Sequence, residues 1–71
     1  MKLPQISGKD LIKKLSKQGF VITRQKGSHV RLEKTINKKI IKLTVPLHKT
    51  MKKGTLLRVI KDAKLRPEDI F

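Results

Sequence analysis

The feature that most constrains this chain is a strict alternation of apolar and polar side chains over two neighbouring stretches. In His29 to Lys34, Val30 and Leu32 share one side, while His29, Arg31 and Glu33 share the other. In Ile40 to Val45, the residues Ile41, Leu43 and Val45 share a side, and Pro46 follows. A repeat of two residues is the mark of a strand with one buried and one wet face. Proline cannot donate to a continuing ladder, so Pro46 is expected to end the third strand. The stretch Phe20 to Gln25 is rich in β-branched and aromatic residues and reads as a further strand. Lys26-Gly27-Ser28 is then a hairpin loop, with Gly27 supplying an angle that other residues adopt reluctantly. Ile36-Asn37-Lys38-Lys39 is the next turn.

Helical patterns lie on either side. Ser7 is placed to cap a helix and Asp10 follows three residues on, as in a capping box. Ile6 and Leu11 form a hydrophobic staple around it. Leu11, Ile12 and Leu15 recur at helical spacing, and Lys9, Lys13, Lys14 and Lys17 take other faces. Gly19 suits a C-terminal position, so the helix is expected over Gly8–Gln18. A second helix is expected over Thr55–Lys64, with Leu56, Val59, Ile60 and Ala63 on one side. Leu47 to Lys53 is a basic loop that holds His48. Leu65 to Phe71 reads as a final turn whose Ile70 and Phe71 fold back on the core.

The order predicts an α+β domain, α-β-β-β-α, with both helices on one face of a three-stranded antiparallel sheet and the other face in solvent. Residues 1–71 form a single domain without repeat, linker or low-complexity tail. Register follows from alternation. Ile22 pairs with Leu32, Leu32 with Leu43, Glu33 with Lys42, and His29 lies opposite Pro46. Phe20, Ile22, Val30, Leu32, Ile41, Leu43 and Val45 face the helices. The open face displays Thr23, Gln25, His29, Arg31, Glu33, Lys42 and Thr44, with Val21 and Ile40 also pointing outward.

Charge says what such a face meets. The 71 residues carry a formal net charge of +14, and from Lys34 to Lys61 there are nine basic residues and no acidic one. A field of this sign draws polyanions: nucleic acid first, an acidic protein second, an anionic membrane third. Lysine-rich surfaces also serve solubility or thermal adaptation. The only aromatic residues are Phe20 and Phe71, which disfavours a single-strand binder built on stacking platforms. There is no cysteine, so neither a disulfide nor a thiolate metal site is available. No apolar run approaches the roughly 20 residues of a membrane span, and Met1 to Gln5 lacks the apolar segment of a leader, so a cytoplasmic protein without membrane attachment is expected.

Chemistry, if present, is expected at His29, because histidine takes and gives protons near neutral pH. RNA carries its own nucleophile in the 2′-hydroxyl, so cleavage needs a base, an acid and stabilisation of the charged phosphorane. His29 suits either proton transfer, and Arg24, Lys26 or Arg31 can hold the charge. The bland alternative is a surface histidine without a role. His48 is the second candidate, as partner acid or base or as phosphate contact. Gly27-Ser28 as a phosphate nest is weaker than the hairpin reading. Ser28 has no triad around it. Acidic residues are few and scattered, so no metal site and no cofactor are expected.

Four blocks in order, Gly19-Phe20, Gln25-Lys26-Gly27-Ser28-His29, Val45-Pro46-Leu47-His48 and Lys53-Gly54-Thr55-Leu56 with Ile60, resemble the HicA toxin family over Ser7 to Phe71. The resemblance implies a double-stranded RNA-binding-domain-like fold and an mRNA-cleaving endoribonuclease of a toxin–antitoxin pair. It implies a HicB-type antitoxin as partner, the toxin being monomeric when free and a hetero-oligomer with its antitoxin. The family's catalytic histidine maps onto His29 and its Pro-x-His histidine onto His48. Where the family often carries further polar or aromatic residues after the histidine, this chain has Val30-Arg31-Leu32, and Arg31 takes over the RNA contact through phosphate. Arg24, Lys26, Ser28, Arg31 and Lys42 are the expected RNA contacts. Two other readings share the fold and charge: a non-catalytic double-stranded-RNA-binding module, and a subunit whose positive face meets an acidic protein.

Overall fold

A computed structural model describes residues 4–71; Met1–Leu3, part of the stretch read for a leader, lie outside it. The elements are α1 (Gly8–Lys17), β1 (Val21–Lys26), β2 (His29–Ile36), β3 (Lys39–Pro46), α2 (Lys53–Asp62) and α3 (Pro67–Ile70). The strands form one antiparallel sheet in the order β1-β2-β3. The expected α-β-β-β-α order is therefore present, and the C-terminal turn is a short helix of its own.

Each helix starts and stops for a local reason. Ser7 accepts a hydrogen bond from the Asp10 amide at 3.0 Å, which satisfies one of the free donors of α1. Ile6 and Leu11 are both buried, as a staple requires. Gly19, at φ +97°, ends α1, and the Phe20 amide returns to the Leu15 carbonyl at 3.1 Å. At the end of α2 the left-handed residue is Lys64, φ +60°, with the Leu65 amide bonded to the Ile60 carbonyl at 3.1 Å. Before α3, the Arg66 amide donates to the Asp69 carboxylate at 2.8 Å. The β2–β3 turn has positive φ at both Asn37 and Lys38, the backbone that matches the twist of a two-residue hairpin.

The register agrees with the alternation at Ile22–Leu32, Leu32–Leu43, Glu33–Lys42 and His29–Pro46. Pro46 is the last residue of β3, where its missing donor costs no ladder bond. Val30, Leu32, Leu43 and Val45 are buried against Leu11, Leu15, Leu56, Val59 and Ile60 of the helices. No charged or polar side chain is buried among the described residues.

Two expectations need correction. Ile22 shares a side with Leu32 but is 56% exposed. Both helices pack against β3, at the far edge of the sheet, and no residue of β1 is buried. The apolar side of the outer strand thus overhangs the helical layer. Phe20, just before that strand, is covered in its place. The stem of Lys34 runs over it, with Nζ 5.7 Å from the ring centroid and 2.6 Å from the Gln18 carbonyl. At the C-terminus Ile70 is buried, but Phe71 remains 39% exposed beneath Lys14, whose Nζ is 5.9 Å from the ring centroid. The basic loop also supplies a core residue that its charge concealed: Met51 is buried, and its amide bonds the Ile6 carbonyl at 2.8 Å.

Gly8 sets how closely α1 approaches β3. Its amide donates to the His48 carbonyl at 2.9 Å, and a Cβ added there would overlap the Pro46 carbonyl oxygen. Alanine would gain up to about 1 kcal/mol in helix propensity. Displacing backbone against backbone costs more, so we expect Gly8→Ala to destabilise the fold by about 2 kcal/mol, read from urea unfolding.

Candidate active site on the open sheet face

The site begins with a tight turn. Lys26 pairs with His29, leaving Gly27 and Ser28 as the two turn residues. Gly27 has φ +59° and Ser28 is not left-handed, the sign pattern of a II′ hairpin with glycine first. Nothing lies within 4 Å of where a Gly27 Cβ would be, so glycine serves the backbone angle and not a close approach. The Ser28 carbonyl accepts from the Leu47 amide at 2.7 Å, which ties the turn to the chain leaving β3.

A β-bulge in β1 then decides which side chains reach the site. Pairing runs Ile22–Leu32 and then Arg24–Arg31, so Thr23 is an extra residue. Strict alternation had placed Gln25 on the open face. The bulge reverses this: Gln25 pairs with Val30 on the helix-facing side, while Arg24 and Lys26 pair with Arg31 and His29. Thr23 stays on the open face, and its hydroxyl donates to the Glu33 carboxylate at 2.9 Å. That bond engages the one carboxylate of the sheet, which also lies opposite Lys42.

The result is an open depression of about 570 Å³ lined by Arg24, Lys26, Gly27, Ser28, His29, Arg31 and Thr44. It gathers Arg24, Lys26, Ser28, His29 and Arg31 of the expected site residues. Lys42 and His48 are not in its lining. Lys42 stands on the same face beside Glu33, and the carbonyl of His48 holds the start of α1. Thr44 was missed as a site residue, although alternation had put it on the open face opposite Arg31.

The electrostatics are one-sided. Arg24 faces Arg31 across the strands, a like-charge pair that destabilises a sheet when nothing compensates, and Lys26 faces His29. Among the described residues the salt bridges join Arg66 to Glu68 and Asp69, far along the chain from this cluster. The imidazole of His29 is exposed and takes part in none of the side-chain hydrogen bonds among the described residues. An exposed base or acid ringed by unpaired cations can exchange a proton with a bound anion and hold its charge. Among the described residues no three His, Cys, Asp or Glu side chains cluster as metal ligands would, and no helix is long and apolar enough to cross a membrane.

A solvent-facing cationic sheet face with one histidine, backed by helices on the other side, defines a small α+β domain. Residues 8–65 match the family described as HicA toxin of bacterial toxin-antitoxin. The chain belongs to this family of toxins, which act within toxin–antitoxin systems. No curated protein matches the chain.

The bulge is open to test. Deleting Thr23 removes the extra residue without moving the pairs on either side, so the deletion variant is expected to fold with Arg24 still opposite Arg31. Cross-strand NOEs between these residues check it; a shift of Gln25 to the open face would contradict the register.

Proposed function

We propose that the protein is a metal-independent endoribonuclease that cleaves mRNA in the cytoplasm, and that a HicB-type antitoxin neutralises it. The observation that carries this reading is the gathering of Arg24 opposite Arg31, and of Lys26 opposite His29, around one depression. An uncompensated cationic cluster is stabilised by an anion with several charged oxygens, and a phosphodiester fits that need.

In the proposed reaction the RNA 2′-oxygen attacks the adjacent phosphorus as its proton leaves. The bond from phosphorus to the 5′-oxygen breaks, and that oxygen takes up a proton. The products are a 2′,3′-cyclic phosphate and a 5′-hydroxyl. His29 performs one of the two proton transfers. Arg24, Lys26 and Arg31 hold the phosphorane charge, and Ser28 and Lys42 contact the strand. His48, in the loop tied to the turn through Leu47, is the second acid–base group or a phosphate contact.

His29→Ala should lower the cleavage rate by about 10²-fold or more, given what a positioned acid or base contributes. RNA affinity and thermal stability should stay close to the parent, and a chelator should leave parental cleavage intact. Full activity in the variant would remove His29 from the mechanism. Replacing Arg24 and Lys26 together by Gln should weaken RNA binding. It should also reduce the slope of log affinity against log salt by about 1.4, the loss of two phosphate contacts on single-stranded RNA.

An imidazole of His29 without a hydrogen-bond partner among the described residues favours one second reading, a double-stranded-RNA-binding module without catalysis. Nuclease-free preparations that bind RNA duplexes without cutting either duplex or single strands would establish it.

A further inference from the structure

The outer edge of the sheet is unfinished. Among the described residues β1 has β2 on one side and no strand on the other, and all six of its residues are exposed. Its free edge offers backbone donors and acceptors to any extended chain laid beside it. Two large apolar side chains stand at its start, Val21 at 61% and Ile22 at 56% exposure. Val21 pairs with Glu33 on the open face, and Ile22 with Leu32 on the opposite side. A strand added at this edge would meet apolar surface on both of its faces. Further along, Arg24 and Lys26 carry the same edge into the depression that holds His29.

A second copy of this chain is a poor occupant. Pairing two β1 strands would bring two chains of formal charge +14 together, with arginine and lysine in both edges. The bulge at Thr23 adds twist, which further breaks the flat edge that self-pairing uses. Charge and bulge are the usual guards against promiscuous edge pairing. Against a carboxylate-bearing strand the same charges become attractive, so the guard selects its partner by sign.

We propose that β1 accepts a fourth strand from the antitoxin: an extended segment with carboxylates beside Arg24 and Lys26 and apolar side chains beside Val21 and Ile22. The proposal rests on the reading of the depression as the toxin's active site. Main-chain bonds along β1 supply affinity, and the charge and apolar pattern supplies specificity. Once seated, the strand neutralises two cations of the depression and walls it on the β1 side. Inhibition then acts through the edge of the sheet as well as through whatever covers His29.

Hydrogen exchange on the free toxin and on its purified complex with a HicB-type antitoxin tests this. Amides within residues 21–26 should slow at least tenfold in the complex. The double variant Val21→Lys, Ile22→Lys should weaken the complex at least tenfold, while the free variant keeps its melting temperature and its RNA binding. Protection confined to other surfaces, with β1 unchanged, overturns the proposal. So does β1 protection in a toxin dimer formed without antitoxin. A toxin that fails to cleave RNA while β1 is protected in the complex removes the ribonuclease reading and leaves the strand. Cleavage with an unprotected β1 does the reverse.

Discussion

Everything in this domain depends on covering one face of a three-stranded sheet with very little chain. Two ten-residue helices provide that cover, and they lie over β2 and β3 more than over β1. Leu32 and Leu43, paired across the strands, are both buried beneath the helical layer. An antiparallel sheet tolerates one wet face, so the opposite side needs no second layer. The domain is therefore lopsided by construction. Its stability resides on one side, and the other is free to carry charge that would be intolerable in a core.

How that charge is aimed depends on a single extra residue. Without a bulge, a strand continuing from Ile22 in register would put Thr23 and Gln25 on the open face and Arg24 and Lys26 on the side of the helices. With Thr23 unpaired, both cations stand beside Arg31 and His29. The self-repulsion that follows is a local cost, set against a core with no buried charge among the described residues. Strained or unfavourable groupings of this kind concentrate where a ligand resolves them. The family to which the chain belongs gives that expectation a biological setting, a toxin held in check by a partner.

Much of this was legible in the residues. Val30, Leu32, Leu43 and Val45 gave the strands, their register and their buried side, because a period of two admits one solution when one face is wet. Ser7 and Gly19 marked the limits of α1 through capping chemistry. His29 on the open face followed from the same alternation. Three things were hidden. The bulge has no signature in Val21-Ile22-Thr23-Arg24, since a β-branched run suits a regular strand equally well. The exposure of Ile22 depends on where the helices sit across the sheet, which is a tertiary fact. Met51 is buried in a stretch whose lysines advertise solvent, because one apolar side chain can turn inward while its neighbours stay wet. The lining of the depression was read in part. Arg24 and Lys26 were named for their charge, although strict alternation would have turned them to the other side.

The hydrogen bonds at the His29 end give the molecule a mechanical polarity. Leu47 is bonded to Ser28, Gly8 to His48 and Met51 to Ile6, so the turn, the loop after β3 and the start of α1 are clamped as one unit. The far end of the sheet closes instead through Asn37 and Lys38, an exposed turn in left-handed backbone. Loop length at the first end is thus fixed by three crossing bonds, whereas at the second only the twist of a hairpin constrains it. Chain added at Asn37–Lys38, as a fluorophore site or a fused tag, would hang from the end remote from the histidine and leave the clamp untouched.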